Sequence, residues 1–82
     1  MNIVSLFKEI DRKHITLNMD FKGMSSIDME IPNLCINVDG EFMWENNILS
    51  LDWSKNWEIK ELDEGEYCLD TDGMVGIISI ID

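Results

Sequence analysis

The sequence predicts an α+β domain in which an N-terminal amphipathic helix packs across a bent antiparallel β-sheet of about six strands. Three observations carry that expectation. Apolar residues recur at helical spacing only in the first turns of the chain. From residue 14 onward they alternate with polar residues. The alternating runs are separated by short turn signals, among them Asp39-Gly40 and Asp72-Gly73. Residues 1–82 read as one domain, since a chain of this length supports a single modest core.

In NIVSLFKEIDRK, residues 2–13, Ile3, Leu6, Phe7 and Ile10 form one stripe and the remaining positions are polar, which predicts a helix docked through that stripe. Asn2 is its expected N-cap, and Arg12 and Lys13 are expected where the negative end of the helix dipole favours cations. The period then changes to two. Ile15, Leu17, Met19 and Phe21 alternate with His14, Thr16, Asn18 and Asp20, which predicts a strand with one buried face. A turn region over 22–26 leads to Ile27, Met29 and Ile31 alternating with Asp28 and Glu30, and Pro32 marks a strand end or an edge. Leu34, Ile36 and Val38 continue the pattern.

Asp39-Gly40 predicts a two-residue hairpin turn between CINV and EFMW. Phe42 and Trp44 then alternate with Glu41, Met43 and Glu45. Asn46-Asn47 predicts a further tight turn, after which Leu49, Leu51 and Trp53 alternate with Ser50 and Asp52, completing a meander. WEIKEL, from Trp57 to Leu62, fits a strand, with one or two helical turns as the alternative. The sequence DEG at 63–65 is a turn, Glu66 to Leu69 a short strand, and Asp72-Gly73 a turn into MVGIISII, whose near-continuous apolar character predicts a central strand or one covered on both sides.

Charge is distributed unevenly over these elements. Of the net −11, residues 1–27 contribute +1 and residues 28–82 contribute −12. Such a field repels nucleic acid and anionic membranes and steers the chain toward a basic protein surface. It exceeds the net charge of about 2 to 8 that serves solubility in a small domain. It also opposes compaction, so added salt is expected to strengthen the fold.

Little in the chain points to catalysis. His14 is the single histidine, and no nucleophile has a spacing that pairs with it. Asp70, Asp72 and Gly73 lack the spacing of a calcium loop, and no glycine-rich phosphate loop follows a strand. We therefore expect a protein that is not an enzyme and that takes no cofactor and no metal. Cys35 and Cys68 lack CxxC spacing and read as reduced thiols, a single disulfide being the alternative. No signal peptide or membrane-length apolar run is evident, which makes the host cytoplasm the expected compartment.

Strand alternation puts Asp28 and Glu30, Glu41 and Glu45, Asp52, and Glu58 opposite the apolar set of their own strands. These carboxylates are expected on the sheet face that the helix leaves open. Asp39, Gly40 and Glu41 add a hairpin tip, Asp63, Glu64 and Glu66 a turn cluster, and Asp70 and Asp72 the next turn. Carboxylates two apart on a strand lie about 6 to 7 Å from each other, close to the spacing of successive phosphates, so such rows suit arginine and lysine sites built for nucleic acid. Met43 and Ile48, with Trp53 or Trp57 at the rim, are expected as apolar anchors among the charges.

The opening MNIVSLFKEIDRKHIT, through Asn2, Ile3, Leu6, Glu9, Ile10, Lys13 and Thr16, resembles the start of the small acidic Cas9 inhibitors encoded by Listeria prophages. INVDGE at 36–41 is similar to their acidic strand turn, and DEGEY at 63–67 to their later acidic run. The resemblance implies an anti-CRISPR DNA mimic that occupies the Cas9 surface reading the short duplex motif beside the target. Carried over by motif, Asp39, Gly40 and Glu41 would be the hairpin entering that surface, and Glu64 and Glu66 would contact its arginines. The family places two helices after its three strands, whereas residues 48–82 here read as strands. The charge pattern equally suits an immunity protein that neutralises a basic nuclease toxin, or an inhibitor of a DNA-repair or restriction enzyme.

Overall fold

The computed structural model describes residues 1–81. It contains one helix, α1 (Ile3–Ile10), and eight strands: β1 (Ile15–Phe21), β2 (Ser25–Ile31), β3 (Cys35–Ile36), β4 (Phe42–Trp44), β5 (Asn47–Leu49), β6 (Glu58–Asp63), β7 (Glu66–Thr71) and β8 (Met74–Ile80). The class is α+β, with the N-terminal helix packed on antiparallel sheet. The expected single bent sheet is instead two open sheets, neither of them closed or strongly curled. One has five strands in the order β2-β1-β8-β7-β6, and the other has three in the order β3-β4-β5.

The helix starts where Asn2 caps it, its Oδ1 accepting from the Ser5 amide at 2.8 Å. It spans the apolar stripe but ends at Ile10, short of the expected reach to Lys13. Arg12 takes a left-handed φ of 67° and its amide donates to Leu34 O at 2.7 Å, so Arg12 and Lys13 belong to the exit and Lys8 is the basic residue of the last turn. Asn2→Ala should cost about 1 kcal/mol through the lost cap, read as a lower urea midpoint at unchanged slope.

β8 is the central strand, as MVGIISII suggested. It pairs with β1 from Ile15↔Ile80 to Phe21↔Met74 and with β7 from Glu66↔Ser79 to Thr71↔Met74. Residues 58–63 are strand rather than helix, with a bulge at Leu62. The break between the sheets lies at Pro32, which lacks a ladder donor, and Asn33, whose φ is 51°. Leu34 is then buried, and its amide donates to Lys13 O. The strand expected over Leu34 to Val38 shrinks to Cys35–Ile36, and that expected over Leu49 to Trp53 is displaced to Asn47–Leu49, with residues 50–53 outside any strand.

Two turns differ from expectation. The amide of Gly40 donates to Asn37 O, and that of Asn37 to Glu41 O, leaving a three-residue tip, Val38-Asp39-Gly40, with Gly40 at φ 80°. Asn37 causes the change, because its Oδ1 accepts from the amides of both Asp39 and Glu41 and fixes the chain locally. In the next hairpin Trp44 pairs with Asn47, so the turn residues are Glu45 and Asn46, with Glu45 at φ 52°.

The core lies between α1 with the small sheet and the inner face of the large sheet. Leu6, Ile10, Ile15, Leu17, Met19, Ile31, Phe42, Leu69 and Ile78 are fully buried there. An aromatic cluster joins the parts. Phe7 packs edge-on to Trp53 at 5.2 Å and to Phe42 at 6.1 Å, and Trp53 meets Trp57 at 5.0 Å. Trp53 and Trp57 are thus half-buried packing residues, and Trp44 likewise packs against the core.

Candidate protein-docking face

With α1 and the small sheet on its inner side, the large sheet leaves its outer face uncovered. The strand registers place three rows across that face, taken from β2 to β6. The first is Glu30, Thr16, Ser79, Glu66 and Asp63. The second is Asp28, Asn18, Ile77, Cys68 and Lys60. The third is Ser26, Asp20, Val75, Asp70 and Glu58. Seven carboxylates therefore share one face with a single lysine within the rows. Asp20, Asp28, Glu30, Glu58, Asp63 and Asp70 are exposed and Glu66 is half-buried.

The middle of the face is apolar. Ile77 is 40% exposed, with Val75 beside it on β8 and Cys68 across from it on β7, both half-buried. Carboxylates thus border an aliphatic strip, an arrangement in which the charges steer approach and the strip gains from desolvation. His14 Nε2 lies 2.8 Å from Glu30 Oε1 at one corner. At the opposite end Lys22, Trp57, Glu58, Asp70 and Asp72 line a shallow depression.

Among the expected residues, the structure gathers Asp28, Glu30, Glu58, Asp63, Glu66 and Asp70 on this face and leaves Glu64 and Asp72 in its bordering turns. Asp39, Gly40, Glu41 and Glu45 lie elsewhere, on the small sheet and its hairpins, and Asp52 lies in the segment that follows β5. The strand positions expected for Glu41, Glu45 and Asp52 are not formed: Glu41 precedes β4, Glu45 is a turn residue with a left-handed φ, and Asp52 follows β5 outside any strand. Gly40 is buried under the Trp53 ring, whose Nε1 donates to Gly40 O at 2.7 Å, and serves packing. Asp20 was missed because it falls in the charge-balanced first third of the chain. Its alternation with Met19 and Phe21 was the available signal.

The small sheet has its own outer side, where Cys35, Met43 and Ile48 pair in one row and Ile48 is 63% exposed. Beside them Glu41 is fixed by two donors, Asn37 Nδ2 at 2.9 Å and Ser50 Oγ at 2.7 Å, and these hold its carboxyl below the ordinary glutamate value, the Ser50 bond most. Asp52 is likewise lowered by the hydroxyl and amide of Ser54. A depressed folded value means stability that is present above the unfolded value and lost as pH falls through the folded one. Wild type should therefore be more stable than Glu41→Gln at pH 7, and the gap between them should begin to close as pH falls below the ordinary glutamate value and continue to close through the lowered folded one, in urea titrations across that range.

Cys35 and Cys68 are free thiols on different sheets. Among the described residues no group of His, Cys, Asp or Glu is arranged to hold a metal ion, and no helix is long and apolar enough to cross a membrane. Comparison with protein-family models, curated proteins and solved structures finds no match to this chain.

Proposed function

We propose that this protein is a phage- or mobile-element-encoded inhibitor that binds the nucleic-acid-binding surface of a defence nuclease, a CRISPR effector, as a DNA mimic. The supporting observation is the outer face of the five-stranded sheet, which collects seven carboxylates around an aliphatic strip. Folding alone gives no reason for that collection, because the mutual repulsion opposes it. Successive outward carboxylates on one strand, Asp28 and Glu30, have the spacing that arginines placed for adjacent phosphates accept. The partner is a basic protein surface in the host cytoplasm. Nucleic acid itself is repelled.

The test is binding to a guide-loaded Cas9-type effector, measured across a salt series with and without duplex DNA carrying the target motif. Affinity should fall steeply with salt, and protein and duplex should exclude each other. A salt-insensitive complex that still admits the duplex would overturn mimicry. Selective capture of a toxin nuclease at a surface away from its nucleic-acid path would replace this reading with the immunity-protein one.

A further inference from the structure

We propose that the free edge of β2 docks an extended basic segment of the partner, which adds to the five-stranded sheet as a further strand. This rests on the reading above that the partner surface is basic, and it specifies how part of that surface is held.

The two edges of the large sheet are β2 and β6, and they are built differently. The β6 edge is protected against strand addition. It carries a bulge at Leu62, a lysine at position 60, and Glu61 on the inward side opposite Tyr67. Bulges, edge lysines and inward-pointing charges are the devices by which sheets prevent edge pairing. β2 has none of them. Its ladder to β1 runs from Ile15↔Ile31 to Phe21↔Ser25 without a register shift, and Ser25–Ile31 contains neither lysine nor proline.

The side chains of β2 define what would fit. On the inner side Ile31 is fully buried, but Ile27 and Met29 are only half-buried, so the apolar layer is unfinished at this edge. On the outer side Asp28 and Glu30 stand exposed. An added strand would put its inward residues against Ile27 and Met29 and its outward residues beside the two carboxylates, with facing Cβ atoms about 4.5 to 5.5 Å apart. The matching occupant is a segment that alternates aliphatic residues with arginine or lysine. A second copy of this chain fits poorly. Antiparallel pairing of β2 with itself about its midpoint sets Asp28 against Asp28, and like charges directly opposite are unfavourable. Strand addition supplies main-chain hydrogen bonds for affinity, and the alternating side chains supply selectivity.

The probe is a synthetic peptide of alternating arginine and valine matched in length to β2, tested on the full chain beside a peptide of the same sequence whose backbone is N-methylated along one edge. Charge is identical in the two, and the protein is unaltered, so its folding is not in question. The unmodified peptide should bind about tenfold more tightly or better, and should slow amide exchange within Ser25–Ile31. Equal binding of the two peptides would overturn the edge site while leaving the acidic-face reading intact. Protection confined to β6, or self-association through β2 without peptide, would also overturn it. Peptide binding at β2 together with failure of the duplex competition would retain the edge site and overturn mimicry.

Discussion

Gly76→Ala is expected to destabilise this protein by about 3 kcal/mol or more, beyond the usual cost of a single added methyl in a core. Gly76 sits at the middle of the central strand, buried and paired with Met19 of β1. A Cβ built there would collide with the Met19 thioether sulfur and come within 2.8 Å of the Asn18 carbonyl oxygen. The thioether can swing aside, since methionine is flexible. The carbonyl belongs to the adjacent strand's backbone and cannot move without disturbing the sheet. Glycine here therefore marks a close approach, not a bend. Gly73→Ala is the control. Its φ is 86° but nothing lies within 4 Å of a Cβ, so only backbone strain opposes it, about 1 kcal/mol. In urea unfolding the position 76 variant should have by far the lower midpoint. Equal losses would show that the β1–β8 approach is looser than the Asn18 distance implies. In a domain of this size, stability near the low end of the usual range, about 5 kcal/mol, would fall to about 2 kcal/mol, so the variant should unfold at a far lower urea concentration than wild type.

Met19 and Gly76 also illustrate what was legible in the sequence. The alternation of Ile15, Leu17 and Met19 fixed which side of β1 is buried, and the apolar run at 74–81 identified the central strand, because both signals follow from local period. The contact between Met19 and Gly76 depends on which strands become neighbours and in what register, which no local period contains. The same limit explains the second sheet. Leu34 to Trp53 alternates as a meander should, yet Pro32 and Asn33 turn the chain away from β2, and the aromatic packing of Phe7, Phe42 and Trp53 holds β3 to β5 on the inner side.

The candidate site divides along that line. Asp28, Glu30 and Glu58 point outward in their strands, as alternation implies, and Asp70, expected in a turn, joins them because β7 runs on to Thr71; the registers bring all four onto one face. Glu41 and Asp52 alternate equally well in the sequence and end up elsewhere, because the short strands β4 and β5 stop before reaching them and belong to the small sheet. Asp20 was concealed by composition. A boundary at residue 27 separates the charges of the sequence, but β1 and β2 are adjacent in space across it.

Neutralising Asp28, Glu30, Glu58 and Asp70 together, as Asn or Gln, should weaken binding to a guide-loaded effector by about 2 to 4 kcal/mol, at 0.5 to 1 kcal/mol for each exposed charge contact. That corresponds to roughly 30-fold to 1000-fold in dissociation constant. The salt dependence should flatten at the same time, because fewer ions are exchanged on binding. Stability should move the other way. These carboxylates outnumber the cations on their face, so removing them relieves repulsion, and the variant should melt higher than wild type at low salt, with the difference shrinking as salt screens it. A variant that binds less while folding better separates a working surface from a structural one. The control removes the same number of charges away from the face, at Glu9, Asp39, Glu45 and Glu61, all exposed. If net charge alone governs association, the two variants should lose affinity equally. If the Asp39 hairpin is the contacting element, as the resemblance to Cas9 inhibitors implies, the control should lose more. Loss confined to the first variant assigns recognition to the outer face of the large sheet, since only the position of the charges differs between the two.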